Sequence, residues 1–449
     1  MIKRIAVIAL LFSVSLQAQH VLTGRLVKPT NESWVILYKI EGTKQSFIAN
    51  SNIKNGQFHF IFKKEYKPGI YRLLYRTNGA DYLDFIYNNE DIDLAFNPRN
   101  PSGTIVFNKS AENKMFENYA KDIAIPQRKL DSLQLNYFQT NNKLQEEKIK
   151  KAYVATLAAV NSTQKKYETS SSKMLVYDFI KASRRYNAKT PFKSPEKYLT
   201  AVKTHFFDAI DFNNQRLLKS TLIIDRINDY VFYVNVSQNR KTQNNLYKIS
   251  LDNVFQKIDN QGLYKDLVYY FLKRFSKKDN SVITKFLLNN YFDNLPKSEQ
   301  NLAYKKSILE KMKVVVNAKA PNITWQDFSG NHSLYQLHDA KYYLILFWSS
   351  TCPHCLRQVP LLYKYLKDKK NIKVIAVGLE NGPDPWNREM NKYPDFIHVF
   401  GKNHWQNKFA RAYNIHATPT YIVLDANKTI IAKPYSLEDL KNFINKLKM

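Results

Sequence analysis

The spacing of hydrophobic positions changes period twice along the chain. From His20 to Asn108 it is two: Phe58, Phe60 and Phe62 alternate in one segment and Ile92, Leu94 and Phe96 in another, the pattern of strands with one face in a core. Asn55-Gly56, between two strand-like segments, predicts a tight hairpin turn, and Pro68-Gly69 punctuates the next connection. From Ser110 to Lys313 the period is helical. Tyr153, Leu157 and Val160 share a face, and Ser194-Pro195-Glu196 starts a helix carrying Tyr198, Val202 and Phe206. Denser runs, Tyr230 to Val236 and Leu267 to Phe275, predict helices buried on several sides.

From Val314 strands and helices alternate. The apolar run Tyr342 to Trp348 has the composition of a buried parallel strand, and Pro353 follows where a helix has its first turn. Ile372 to Leu379 and Phe396 to Phe400 predict further strands, with Asp384 to Tyr393 a helix between them. Asn403 to Tyr413 predicts another helix, and Tyr421 to Leu424 with Thr429 to Lys433 a terminal hairpin. Ser436 and Asp439 cap a last helix whose Leu440, Phe443, Ile444 and Leu447 form an apolar face. The expected fold class is multidomain α+β: an antiparallel β-sandwich over 19–108, a helical domain over 109–313 and an α/β domain over 314–449.

Glycine usage supports these divisions. Six of the eleven glycines lie between Gly24 and Gly103, one (Gly262) in the helical stretch and four between Gly330 and Gly401. At the start, Lys3 and Arg4 precede an apolar run from Ile5 to Leu16 and a short polar end, Gln17-Ala18. This is the pattern of a signal peptide over 1–18, too short in its apolar part to span a bilayer. The protein is therefore expected to be exported to the periplasm or cell envelope and to be soluble once the leader is removed. No cysteine follows the apolar run, which excludes a lipid anchor there.

The formal net charge is +30. In a cytosolic chain that balance suggests nucleic acid. An exported chain meets anionic lipid head groups, polysaccharide or acidic proteins instead, so no nucleic-acid partner is expected and an anionic membrane surface is the candidate contact. The lysines are spread rather than clustered, as on a solvated basic surface.

Candidate chemistry sits where the strand Tyr342–Trp348 ends. The chain has two cysteines, Cys352 and Cys355, in the run Cys-Pro-His-Cys. Cys352 falls at a helix start, where free backbone N–H groups and the dipole stabilise a thiolate and make that sulfur the attacking group; Cys355, one turn on, can resolve the mixed disulfide. His354 between them adds a further stabiliser of negative sulfur. A zinc site needs four ligands and a second cysteine pair is absent. A structural disulfide across so short a loop constrains little of the unfolded chain. No cofactor or metal is expected.

Phe347-Trp348, Cys352-Pro353-His354-Cys355, Pro360 and Ala417-Thr418-Pro419-Thr420 ahead of a strand resemble the thioredoxin superfamily. Ala320-Pro321, Phe328-Ser329-Gly330 and Leu334 upstream resemble the leading hairpin of its TlpA/ResA-like branch of exported thiol-disulfide oxidoreductases. The resemblance covers the last third of the chain; the preceding β-rich domain is similar to one that often accompanies that branch. It implies a thioredoxin-like α/β fold and catalysis by Cys352, Cys355, His354 and Pro419. It also implies a cis Pro419 facing the sulfurs, and substrate contacts from Trp348, Thr351, Pro353 and Thr418. Implied partners are protein thiols and disulfides and a separate redox protein that supplies or removes electrons. Leu346 and Gln358 stand where relatives carry an acid, and Thr351 where many carry tryptophan. Rival readings are a thiol peroxidase, a copper chaperone, and an envelope scaffold or binding protein with a secondary redox domain. The peroxidase pattern places a proline where this chain has Ile345.

Overall fold

The computed structural model describes residues 19–27, 31–76 and 82–447; the leader expected over 1–18 lies outside them. By its contacts the chain divides into two compact units, 1–266 and 267–449. Among the described residues no helix is long and apolar enough to cross a membrane.

The first unit opens with eight strands: β1 (His20–Leu26), β2 (Trp34–Glu41), β3 (Lys44–Asn52), β4 (Gln57–Phe62), β5 (Gly69–Leu74), β6 (Tyr82–Tyr87), β7 (Ile92–Phe96) and β8 (Val106–Lys109). They form two four-stranded sheets, ordered β4-β1-β7-β8 and β3-β2-β5-β6. Alternation decides which side chains are buried: Phe58, Phe60 and Phe62 of β4 face inward while Gln57, His59 and Ile61 are exposed. Inward residues of both sheets meet in one cluster, in which Phe62 stacks on Tyr87 at 3.9 Å between ring centroids. Asn55 and Gly56 both take positive φ, +51° and +74°, which lets the chain reverse into β4. One pairing departs from the antiparallel expectation: β1 and β7 run parallel, because they are joined through the other sheet and not by a hairpin.

Two long helices follow, Ala111–Gln139 and Lys143–Ser170, joined by three residues and packed through Leu130, Tyr153 and Val160. Asn113 fastens the first to β6, accepting from Ile86 N at 2.8 Å and donating to Ile86 O at 2.6 Å. Ser194 caps the helix Pro195–Thr204, and Tyr230–Val234 is a π-helical turn.

The second unit begins inside the helix Gln261–Lys277. The stretch from 267 to 313, expected to belong with the helices before it, is thereby joined to the C-terminal domain. Lys433, just after the last strand, has Asp279 and Lys311 in electrostatic reach. After the helix Leu302–Met312 comes a two-stranded hairpin, β9 (Thr324–Asp327) and β10 (Gly330–Ser333). A five-stranded sheet follows, ordered β13-β12-β11-β14-β15, from β11 (Tyr342–Trp348), β12 (Ile372–Glu380), β13 (Ile397–Lys402), β14 (Thr420–Asp425) and β15 (Ile430–Ala432). β11, β12 and β13 are parallel; β14 and β15 run antiparallel.

β11 is buried on both faces, so its side chains divide by parity. Leu344, Leu346 and Trp348 pack with Val359 and Leu362 of the helix Pro353–Leu366 and with Leu440 and Ile444 of the last helix. Tyr343, Ile345 and Phe347 pack on the opposite face with Phe409, Tyr413, Ile323 and Leu334. The stretch expected as one helix over 403–413 is two short ones, His404–Gln406 and Lys408–Ala412. Asn403 and His404 take positive φ, and Asn407 caps a fresh start.

Gly378 of β12 leaves room for Trp386, whose Nε1 and Cδ1 would lie 2.3 and 2.5 Å from a Cβ placed there. Gly378→Ala should therefore lower stability by about 1–3 kcal/mol through overpacking, measured as a fall in urea midpoint with unchanged slope.

Candidate functional site

The end of β11 and the start of the helix Pro353–Leu366 fix the reactive centre. Pro353 at the first helical position has no N–H to lose there, and Cys352 occupies the cap, its Sγ accepting from Cys355 N at 3.4 Å. Both cysteines are free thiols. Cys352 is half-buried and Cys355 is fully buried among the side chains that line β11. The Thr418–Pro419 peptide is cis, and Cys352 Sγ lies 3.7 Å from Thr418 O. Thus Cys352, Cys355, Thr418 and Pro419, 67 positions apart in sequence at their extremes, come together, with Thr351 and Pro353 exposed beside them.

The two sulfurs differ in kind. Burial pushes the Cys352 thiol up, but hydrogen bonds from Cys355, the Thr418 side chain and the His354 N–H outweigh it, so its pKa lies below the ordinary value. At Cys355 burial prevails and the pKa is pushed up to about 12, with its hydrogen bond to Cys352 adding to the effect. One sulfur is ready to attack and the other is held as a thiol until a mixed disulfide brings it into play. Tyr421, from the strand after Pro419, places a buried hydroxyl without a hydrogen-bond partner among the described residues in the same core, and burial and the nearby Cys355 raise its pKa.

Two expectations change. The ring of His354 is exposed, with Nδ1 3.4 Å from Arg357 Nη2; what reaches Cys352 is the His354 backbone N–H. Trp348 is corrected as a substrate contact. β11 keeps its parity through that residue, so the indole is fully buried, edge-on to Tyr393 at 5.9 Å.

Glu380 was missing from the sequence reading. Parallel pairing of β11 with β12 sets Trp348 opposite Gly378, and the same register carries Ser350 to Glu380. The carboxylate, 2% exposed, accepts from Ser350 N at 2.6 Å, Ser350 Oγ at 3.0 Å and Ser349 Oγ at 3.3 Å. Ser349 Oγ in turn accepts from Thr351 N at 3.3 Å, and Ser349 O from Cys352 N at 3.2 Å. A buried carboxylate thus ties down the loop that delivers Cys352. The signal available in sequence was an acid directly after an apolar strand, at the carboxyl edge of a parallel sheet where ligand and catalytic groups collect.

This arrangement, a cysteine pair opening a helix after a central strand and facing a cis-proline loop, defines a thioredoxin-like protein. The family model for thioredoxin-like domains matches residues 339–430. A thioredoxin-like protein of Haemophilus influenzae is 30% identical over 117 residues, covering 25% of this chain and 67% of that protein. The thiol-disulfide oxidoreductase ResA of Geobacillus thermodenitrificans is 25% identical over 155 residues, 32% of this chain and 85% of ResA. Among solved structures, a domain of a possible thiol-disulfide isomerase from Cytophaga hutchinsonii is 34% identical, covering 29% of this chain and 92% of its own, with a TM-score of 0.26. The chain belongs to the thioredoxin-like family, through a C-terminal domain of thiol-disulfide oxidoreductase type.

Glu380→Ala should leave the buried Ser350 N–H and hydroxyls without an acceptor and cost on the order of 3 kcal/mol, read by chemical denaturation of the reduced protein. The Cys355 thiol gives a pH dependence of known sign. Its folded pKa is raised, so its contribution is complete below the unfolded thiol value and is lost as pH climbs from there towards about 12. Alkaline destabilisation of the reduced chain should be smaller in Cys355→Ala, measured as the difference between the two stability-against-pH curves.

Proposed function

We propose that the protein is an exported thiol-disulfide oxidoreductase that exchanges disulfides with protein substrates through Cys352 and Cys355. The observation that carries this reading is the inequality of the two sulfurs: an accessible one with a lowered pKa at a helix start, and a buried one held neutral one turn on. In the reducing direction the Cys352 thiolate attacks one sulfur of a substrate disulfide. A Cys352–substrate bond forms, the substrate S–S bond breaks, and the released thiolate takes a proton from solvent. Cys355 then gives up its proton and attacks Cys352 Sγ, forming the intramolecular disulfide and releasing the second substrate thiol. Two electrons pass from the Cys352/Cys355 dithiol to the substrate disulfide.

The same steps reversed oxidise a substrate dithiol, so the potential of the partner sets the direction. With two cysteines in the chain, a separate redox protein closes the cycle. Thr418 and Pro419 are assigned to hold the incoming chain beside the sulfurs, Thr351 and Pro353 to border it, and His354 to contribute through its N–H. The leader pattern over 1–18 supports action in the cell envelope. In this reading the β-sandwich of 19–108 and the helices that follow it, up to the start of the second unit at 267, are accessory to the redox chemistry of the C-terminal domain.

Cys352→Ser should abolish dithiothreitol-driven insulin reduction. Cys355→Ser should still attack and should accumulate mixed disulfides, visible on non-reducing gels and lost on reduction. Wild-type behaviour in both variants would refute the proposal.

A further inference from the structure

Beside the cis-proline loop the second unit carries an open groove of about 610 Å³, lined on one side by the helix Leu302–Met312 (Ala303, Lys306, Ser307, Glu310) and on the other by Trp405, Arg411 and Asn414 to His416. Its far wall runs directly into the site. His416 lines the groove, and Thr418, two residues on, sets its carbonyl 3.7 Å from Cys352 Sγ. Two residues span at most about 7.6 Å between Cα atoms. A polypeptide whose cysteine meets Cys352 therefore has its flanking residues at the groove mouth.

The lining has a sign. Lys306 and Arg411 are exposed and their side chains meet no acidic partner among the described residues. Glu310, the one carboxylate of the lining, is held by Lys313 through both oxygens, at 2.8 and 2.9 Å. Trp405, 40% exposed, and the buried Ile415 add apolar surface to the same lining. Exposed indole next to unpaired cations is the composition of a recognition surface, where charge selects the partner and the aromatic anchors it.

We infer that this groove binds the segment flanking the reactive cysteine of the substrate protein, and that the segment is acidic, with carboxylates at Lys306 and Arg411 and an apolar side chain on Trp405. The inference rests on the oxidoreductase reading and names its substrate class. The acidic residues fall about two to five positions from the substrate cysteine, the reach of an extended chain at about 3.3 Å per residue.

The test is single-turnover oxidation of the pre-reduced full chain by two synthetic peptide disulfides. They differ only in whether four flanking residues are Asp/Glu or Lys/Arg, and hydroxyethyl disulfide serves as an uncharged substrate. In the wild type the acidic peptide should react about three- to tenfold faster than the basic one. The double variant K306E/R411E should erase or invert that ratio. K148E/K151E, an equal charge change on the helix Lys143–Ser170, should keep it, and hydroxyethyl disulfide should react alike with all three. A ratio unmoved by K306E/R411E, or moved as much by K148E/K151E, would overturn the groove. Failure to react with any of the three substrates would overturn the oxidoreductase reading, and the groove with it.

Discussion

The structure depends on how a buried parallel strand hands over to a helix at Cys352. The strand is apolar on both faces, so it can only sit in the middle of a covered sheet. Its last residues then emerge at the carboxyl edge, where Pro353 starts a helix whose first N–H groups have no partner within the helix. A sulfur at the cap fills that need. The hydrogen bonds that satisfy the helix start are the ones that favour the Cys352 thiolate, so the local requirement of the fold and the chemistry of the site are one interaction. Burying Cys355 beneath it follows from the helical repeat, which turns the residue one turn on toward the strand.

That logic explains why so much of the C-terminal domain is legible in the sequence. Strands buried on both faces leave unbroken apolar runs, helix starts leave Pro, Ser and Asp at fixed offsets, and the capping box at Ser436 and Asp439 forms as the spacing predicts. The alternation of phenylalanines in β4 marks its buried face in the same way. What the pattern lacks is anything set by partners distant in sequence. The parallel pairing of β1 with β7, the attachment of 267–313 to the last domain and the division of 403–413 into two turns depend on which surfaces meet, or on single residues with positive φ.

The site divides similarly. The cysteines and the Thr418-Pro419 pair are readable because their spacing carries the chemistry. The position of Trp348 in the motif suggests a surface residue, while strand parity buries it. Glu380 is not legible in the sequence because an acid after an apolar strand looks like the start of a loop; only the register between β11 and β12 brings it under Ser350. Leu346 and Gln358 put no carboxylate at those positions of the elements bearing the cysteines. This chain places its buried carboxylate one strand away, where it anchors the loop carrying Cys352.

The inequality of the two sulfurs is most directly measured by alkylating the reduced protein with iodoacetamide across pH and resolving each cysteine by mass spectrometry. The account predicts that Cys352 reacts first, with a half-point below the free-thiol value of about 8.5, while Cys355 stays unmodified until far higher pH. Equal reactivity, prior modification of Cys355, or a Cys352 half-point at or above the free value would contradict it.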